Sequence, residues 1–247
     1  MGNGDTTTRR DGRAPDQLRR VLIESGFVRS ADGSALMTMG GTRVICTASL
    51  VTGVPPWREA SGGGWLTAEY GMLPASTGSR KPRDVTRGRP DGRTVEIQRL
   101  IGRSLRAVVD IDAMGSRTLY VDCDVLEADG GTRCAAITGA YVAASLAFGR
   151  LVERGDLEQA PLSDSVAAVS CGLVGETAML DLDYGEDSTA EVDMNVVMTG
   201  AGELVEVQAT AEGVPFSRAS LDELLGLAAK GIGELREAQQ AAVALPA

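Results

Sequence analysis

The stretch Val121-Asp-Cys-Asp-Val-Leu-Glu-Ala-Asp-Gly-Gly-Thr-Arg133, followed at once by the apolar run Cys134 to Leu151, constrains the fold more than any other feature of the chain. A strand-like segment ends in Gly130-Gly131 and a helix starts at Thr132. The first N–H groups of a helix have no partner inside it, and the helix dipole adds partial positive charge there. The glycines let backbone approach a ligand closely. Thr132 contributes a hydroxyl, and Arg133 a guanidinium fork suited to phosphate. The segment is therefore either an anion pocket or an ordinary capped helix after a turn.

Composition narrows the chemistry. The sequence has 247 residues and no histidine. That excludes His-based acid–base catalysis, Ser-His-Asp and Cys-His sites and His-metal centres. Any general acid or base must be Asp, Glu, Lys, Tyr or Cys. The core must be aliphatic, because there are three Phe, four Tyr and two Trp. The four cysteines (Cys46, Cys123, Cys134, Cys171) are widely spaced, with no C-x-x-C pair, and read as buried free thiols in a reducing compartment. No leader-like apolar segment occupies residues 1–20, and no stretch approaches 18 apolar residues. The expectation is a cytoplasmic protein that does not enter a membrane.

Charge is unevenly placed. The chain carries a net charge of −10, which argues against casual nucleic-acid binding. Residues 80–93 hold Arg80, Lys81, Arg83, Arg87, Arg89 and Arg93 against Asp84 and Asp91, a local charge of +4, which leaves −14 for the remainder. A basic cluster on an acidic body has a polyanion as its natural partner.

Along the chain, residues 1–16 read as disordered. Residues 21–29 and 35–50 read as strands, the latter broken into a hairpin at Gly40-Gly41. Residues 53–64 are a loop and Trp65 to Leu73 a strand. Thr94 to Met114 reads as a helix with Val95, Ile97, Leu100, Ile101, Leu105, Val108 and Val109 on one apolar face, ended by Gly115. Glu96, Arg99, Arg103 and Arg106 make a charged stripe. It is either a solvated face with intrahelical ion pairs or a contact for RNA or another subunit. A strand over 118–126 leads to the helix at Thr132, which runs to about Glu153. Four strands follow (165–174, 178–183, 190–198, 203–210), then a helix over 217–240. Hairpins mixed with three helices imply an α+β layered domain with a mixed sheet.

The carboxylates crowd one segment. Leu180 and Leu182 alternating with Asp181 and Asp183 fit a strand with one wet face. Asp187 and Asp193 would lie roughly 20 Å apart in one extended strand, and converge only if Tyr184 to Ser188 folds back as a turn. Asp193, between Val192 and Met194, is a lone acid with apolar neighbours. That setting raises a carboxyl pKa towards the range a general acid needs.

The combined pattern resembles the RNase PH family, phosphate-dependent exoribonucleases that trim transfer RNA 3′ ends. The matching pieces are Gly41-Thr-Arg-Val-Ile-Cys-Thr-Ala-Ser49, Gly64-Trp-Leu-Thr-Ala-Glu-Tyr-Gly-Met-Leu-Pro74, Gly92-Arg-Thr-Val-Glu-Ile-Gln-Arg-Leu-Ile-Gly-Arg-Ser-Leu-Arg106, residues 111–139, and Tyr184-Gly-Glu-Asp-Ser-Thr-Ala-Glu-Val-Asp-Met-Asn-Val197. The likeness runs from about residue 9 to 240. It implies a split β-α-β, layered sandwich of mixed sheets and helices, with two similar halves in one subunit (17–155 and 163–240) forming a single domain. It implies inorganic phosphate as co-substrate, bound by Arg93, Gly131, Thr132 and Arg133. Asp187 and Asp193 become the catalytic acids and the ligands of a Mg²⁺ ion. Arg80, Lys81, Arg83, Arg87 and Arg89 become the RNA-binding loop of a hexameric ring, a trimer of dimers. Three departures stand out: Ala209-Thr-Ala-Glu-Gly213 where relatives carry Gly-Thr-Gly-Glu-Gly, Cys134 in place of Thr or Ser, and Pro90 in the basic loop. The two alanines would matter if either position needed φ > 0. No nucleotide-triphosphate motif of the G-x-x-x-x-G-K-[ST] type is present.

Overall fold

A computed structural model describes residues 9–60, 62–83, 86 and 88–244. Two sheets enclose a layer of helices. The first half contributes β1 (Val21–Ser25), β2 (Gly33–Met39), β3 (Thr42–Thr52), a single helical turn α1 (Pro56–Glu59), β4 (Trp65–Met72), α2 (Gly92–Arg106), β5 (Arg117–Glu127) and α3 (Thr132–Glu153). The second half contributes β6 (Val166–Val174), β7 (Thr177–Leu180), the turn α4 (Tyr184–Asp187), β8 (Val192–Thr199), β9 (Leu204–Ala211) and α5 (Arg218–Ala244). Sheet one has the order β1-β2-β3-β5-β4 and sheet two the order β7-β6-β8-β9. Every pairing is antiparallel except β4 with β5. That parallel pair requires a crossover, and α2 supplies it. The fold is α+β, with each half a sheet followed by one long helix.

The helix α3 fits the core because most of its side chains between Cys134 and Leu151 are small or apolar and buried. It packs against β2, β3 and β5 of one sheet and β6 of the other, so its Ala, Gly and Thr residues let both sheets approach. Gly33 of β2 shows how closely: a Cβ there would lie 2.0 Å from the Ala143 carbonyl oxygen. This helix has the length and apolar composition of a membrane span, contrary to the expectation that no stretch comes near it. Its apolar surface is instead taken up by the two sheets.

Several expected elements differ. The second helix stops at Arg106, and a separate 3₁₀ turn occupies Asp112–Met114, with Gly115 (φ +63°) ending that turn rather than the helix. Val95 lies outside the buried face and is 41% exposed. Asp91, immediately before the helix, accepts the Thr94 N–H at 2.6 Å and starts α2 two residues earlier than the apolar spacing predicts.

Residues 9–16 are not disordered, although composition reads that way. Arg9 and Arg13 are buried. Arg9 donates to the Leu180 carbonyl at 2.6 Å, the Asp181 carbonyl at 2.8 Å and both carboxylate oxygens of Glu186. A guanidinium so bonded anchors polar sequence that buries little apolar surface. Residues 1–8 lie outside the described residues.

Candidate active site

The phosphate-type turn sits where the two halves meet. Gly130 and Gly131 both have positive φ, +76° and +65°. A Cβ on Gly130 would lie 2.7 Å from the Leu182 carbonyl oxygen and 2.9 Å from the Tyr184 nitrogen. The turn therefore lies directly against the backbone that carries the acids. Thr42 pins it from β3, donating its hydroxyl to the Gly130 carbonyl at 2.6 Å and accepting the Asp129 N–H at 2.8 Å.

Arg19 ties the two segments together. Its Nε and one Nη hold the Asp181 carboxylate at 3.0 and 2.7 Å, while the other Nη donates to the Asp129 carbonyl. Asp181 is fully buried and has φ +54°. The expected wet strand face over 180–183 is therefore corrected. Asp181 is an interior ion-pair partner, and Asp183 caps α4 with Glu186 in a reciprocal capping box. The predicted fold-back at Tyr184 to Ser188 is this helical turn. It places Asp187 at the rim of the site, with Arg9 gripping Glu186 from beneath.

Helix α3 begins at Thr132 with Gly131 in the left-handed conformation and no side chain capping it. Its first N–H groups thus face the site instead of a Ser or Asp cap. The Thr132 hydroxyl accepts from the Tyr70 hydroxyl at 2.9 Å, and burial holds the Tyr70 pKa up. Arg133 donates to Gln208 at 2.6 Å and Glu96 at 3.3 Å, and Gln208 also donates to Glu96 at 3.2 Å. Arg93 occupies the first turn of α2.

These groups converge. Asp187 is exposed at the rim, and partial desolvation there raises its carboxyl pKa, while the charges of Arg93 and Arg133 oppose the rise. Asp193 is likewise raised, first by burial and next by the neighbouring charge of Asp187, again with Arg133 and Arg93 opposing. Two arginines from the first half thus act on two acids from the second. Asn195, two residues along β8, accepts a contact from the Cys134 thiol at 3.3 Å.

Some neighbours of the site were not legible in the chain. Tyr70 reads only as a β4 core residue. Gln208 carries no spacing signal. Glu212, whose charge reaches both acids, stands in the altered Ala209-to-Gly213 segment. Glu96 and Arg103 belong to the charged stripe, yet neither makes an intrahelical pair there: Glu96 meets Arg133 and Gln208, and Arg103 forms an ion pair with Glu206 of β9.

The departures are accommodated. Ala209 and Ala211 lie in β9, and neither has positive φ, so glycine is not required. The Cys134 thiol is buried and its pKa is pushed up to about 12. Cys46, Cys123 and Cys171 are buried and free as well, as the sequence predicts. Of the basic loop, Arg80, Lys81, Arg83 and Arg89 are exposed; Arg87 lies outside the described residues.

Residues 17–147 match the 3′ exoribonuclease family, domain 1, and residues 164–231 match domain 2 of the same family. The chain belongs to the 3′ exoribonuclease family. Among solved structures, a chain of the Archaeoglobus fulgidus exosome with RNA bound to the active site is 25% identical, with a TM-score of 0.78 over 94% of this chain and 92% of that one. A chain of an archaeal exosome core is 24% identical, with a TM-score of 0.74 over 94% and 91%. Rice (Oryza sativa) Rrp46 is 17% identical, with a TM-score of 0.77 over 95% and 100%. The last two likenesses speak to fold alone. This exoribonuclease-family chain therefore has the RNase PH-like architecture over nearly its whole length.

Proposed function

We propose that the protein is a phosphorolytic 3′-to-5′ exoribonuclease. Inorganic phosphate attacks the last phosphodiester in line with the departing 3′ oxygen, giving RNA one residue shorter and a nucleoside 5′-diphosphate. The observation that carries this reading is that the turn before Thr132 and Arg133 packs against the Leu182–Tyr184 backbone leading to Asp187, while Arg133 reaches Glu96 on the Arg93 helix and Gln208 on the strand beside Asp193.

Two anions must meet, so fixed positive charge is needed where charge develops. Arg93, Arg133 and the uncapped start of α3 provide it. A helix start contributes about 0.3–1 kcal/mol in exposed settings, so the two guanidinium groups carry most of the binding. With no histidine in the chain, Asp193 protonates the leaving oxygen; its raised pKa keeps more of it protonated near neutrality.

Among the described residues no group of three or more His, Cys, Asp or Glu could cage a metal ion. Asp187 suits Mg²⁺ in its usual mode, in which one or two carboxylates share the ion with water and substrate phosphates, and this leaves Asp193 to carry the proton. Bound there, Mg²⁺ would neutralise charge on the phosphate and leaving oxygens. Asp187 orients that end of the substrate, and Arg80, Lys81, Arg83 and Arg89 hold the phosphodiester chain. Transfer RNA 3′ ends are the proposed substrate and a hexameric ring the proposed assembly.

The test is incubation of a 3′-extended transfer RNA with and without inorganic phosphate. Nucleoside diphosphates formed only with phosphate support the reading. Monophosphates formed without phosphate would make the protein a hydrolase. No product in either arm would leave an RNA-binding subunit.

A further inference from the structure

Both tryptophans of the chain, Trp57 and Trp65, stand together at the end of β4 away from the acids. Their ring centroids are 4.6 Å apart, edge to face. Trp57 is 65% exposed, a large amount for the biggest apolar side chain in a protein with an aliphatic core. It is held rigidly. Pro55-Pro56 opens its helical turn, and the adjacent Arg58 donates to the Gly64 carbonyl at 3.0 Å and to Asp112 at 2.7 Å. Arg106, the last residue of α2, lies over the Trp65 ring with its guanidinium carbon 5.2 Å from the centroid, and donates to the Leu66 carbonyl at 2.9 Å. Burial, and then the charges of Arg103 and Arg99, hold the Arg106 guanidinium below its ordinary pKa. The cluster is thus aromatic, cationic and open to solvent.

Its position relative to the site follows from two rods. At one end α2 carries Arg93, whose charge is felt by Tyr70 of β4; at the other, Arg106 meets Trp65. The thirteen residues from Arg93 to Arg106 span roughly 20 Å of helix, and Tyr70 to Trp65 spans roughly 17 Å of strand. The arginines Arg99, Arg103 and Arg106 mark the interval. An exposed ring beside cations on a path from a phosphate site suits successive bases of a single strand, because every base has a π-face and its backbone is anionic.

We infer that Trp57, Trp65 and Arg106 form a stacking platform for the bases of single-stranded RNA several nucleotides upstream of the 3′ end. The inference rests on the exoribonuclease reading for the direction of the strand, but its first test does not. Because both tryptophans belong to the platform, intrinsic indole fluorescence reports on it alone. A 12-nucleotide oligouridylate added with EDTA and no phosphate, so that no turnover occurs, is expected to quench that fluorescence, and a blunt duplex of equal length is not.

Trp57→Ala is expected to weaken binding of the 12-mer about tenfold, the loss typical of one stacked base. Trp57→Phe is expected to recover most of it. In phosphate-dependent trimming, Trp57→Ala should raise KM for the 12-mer and shrink the advantage of the 12-mer over a 3-mer. No quenching in the parent protein, or affinity within twofold in Trp57→Ala, overturns the platform. A Trp57→Ala protein altered only in assembly mass overturns it too, by marking a subunit contact. Quenching without phosphate-dependent products would instead leave the platform standing and remove the enzymatic reading.

Discussion

In the proposed reaction the chemistry turns on Asp193. As a general acid it must hold a proton at the start of the step, so turnover should fall as pH rises through its folded pKa. Burial and the Asp187 charge both raise that pKa. Asp187→Asn removes a negative neighbour and should move the titration to lower pH; Arg133→Gln removes a positive one and should move it higher. Carboxyl ¹³C NMR titration of Asp193 in the two variants checks both signs without requiring activity. Asp193→Asn should lower kcat by about 10²–10⁴-fold. A carboxyl whose folded pKa is raised favours the fold when protonated, a contribution lost as pH rises through that pKa. The neutral amide should therefore raise Tm at pH 7 while abolishing trimming, a trade often found at active sites. Calorimetry showing a lower Tm at that pH would mean that Asp193 instead stabilises the fold as an anion.

At the scale of elements, the turn at Gly130 and the segment 180–187 behave as one unit. Gly130→Ala brings a Cβ to within 2.7 Å of a backbone oxygen at positive φ. It should cost about 1–3 kcal/mol of stability and a larger share of activity, because the displaced backbone leads to Asp187. Arg19→Met leaves Asp181 buried without its main partner and should cost about 3–5 kcal/mol in denaturant unfolding. Much of this region could be read from the chain in advance. The bounds of α3 follow from Gly131 and its long run of small apolar residues, and the hairpin at Gly40-Gly41 from its paired glycines. What could not be read has a common physical cause. Arg9 and Asp181 look polar in sequence, and polarity predicts exposure unless the partner is known. Their partners lie 177 and 162 residues away. The α2 stripe misled similarly: i,i+3 spacing suggests local pairs, but β9 offers Glu206 and Gln208 to the same face. Val95 lies two residues before Ile97, about 200° round the helix from it, so it faces out with Arg99 while Ile97, Leu100, Ile101 and Leu105 are buried.

At the scale of the whole molecule, an acidic body with a basic loop implies strong ionic-strength dependence. For single-stranded nucleic acid each neutralised phosphate contributes about −0.7 to the slope of log affinity against log salt. Replacing Arg80, Lys81 and Arg83 together by alanine should shrink that slope by about 2, measured by filter binding across salt concentrations. An unchanged slope would place the RNA elsewhere.

The seating of α3 between two sheets has a further consequence. The halves are joined by shared interior, whereas the covalent link between them, residues 154–160, runs mostly exposed over the outside. Co-expressed fragments 1–157 and 158–247 should accordingly find each other, copurify and reconstitute a working centre by complementation, though neither alone holds both the arginines and the acids.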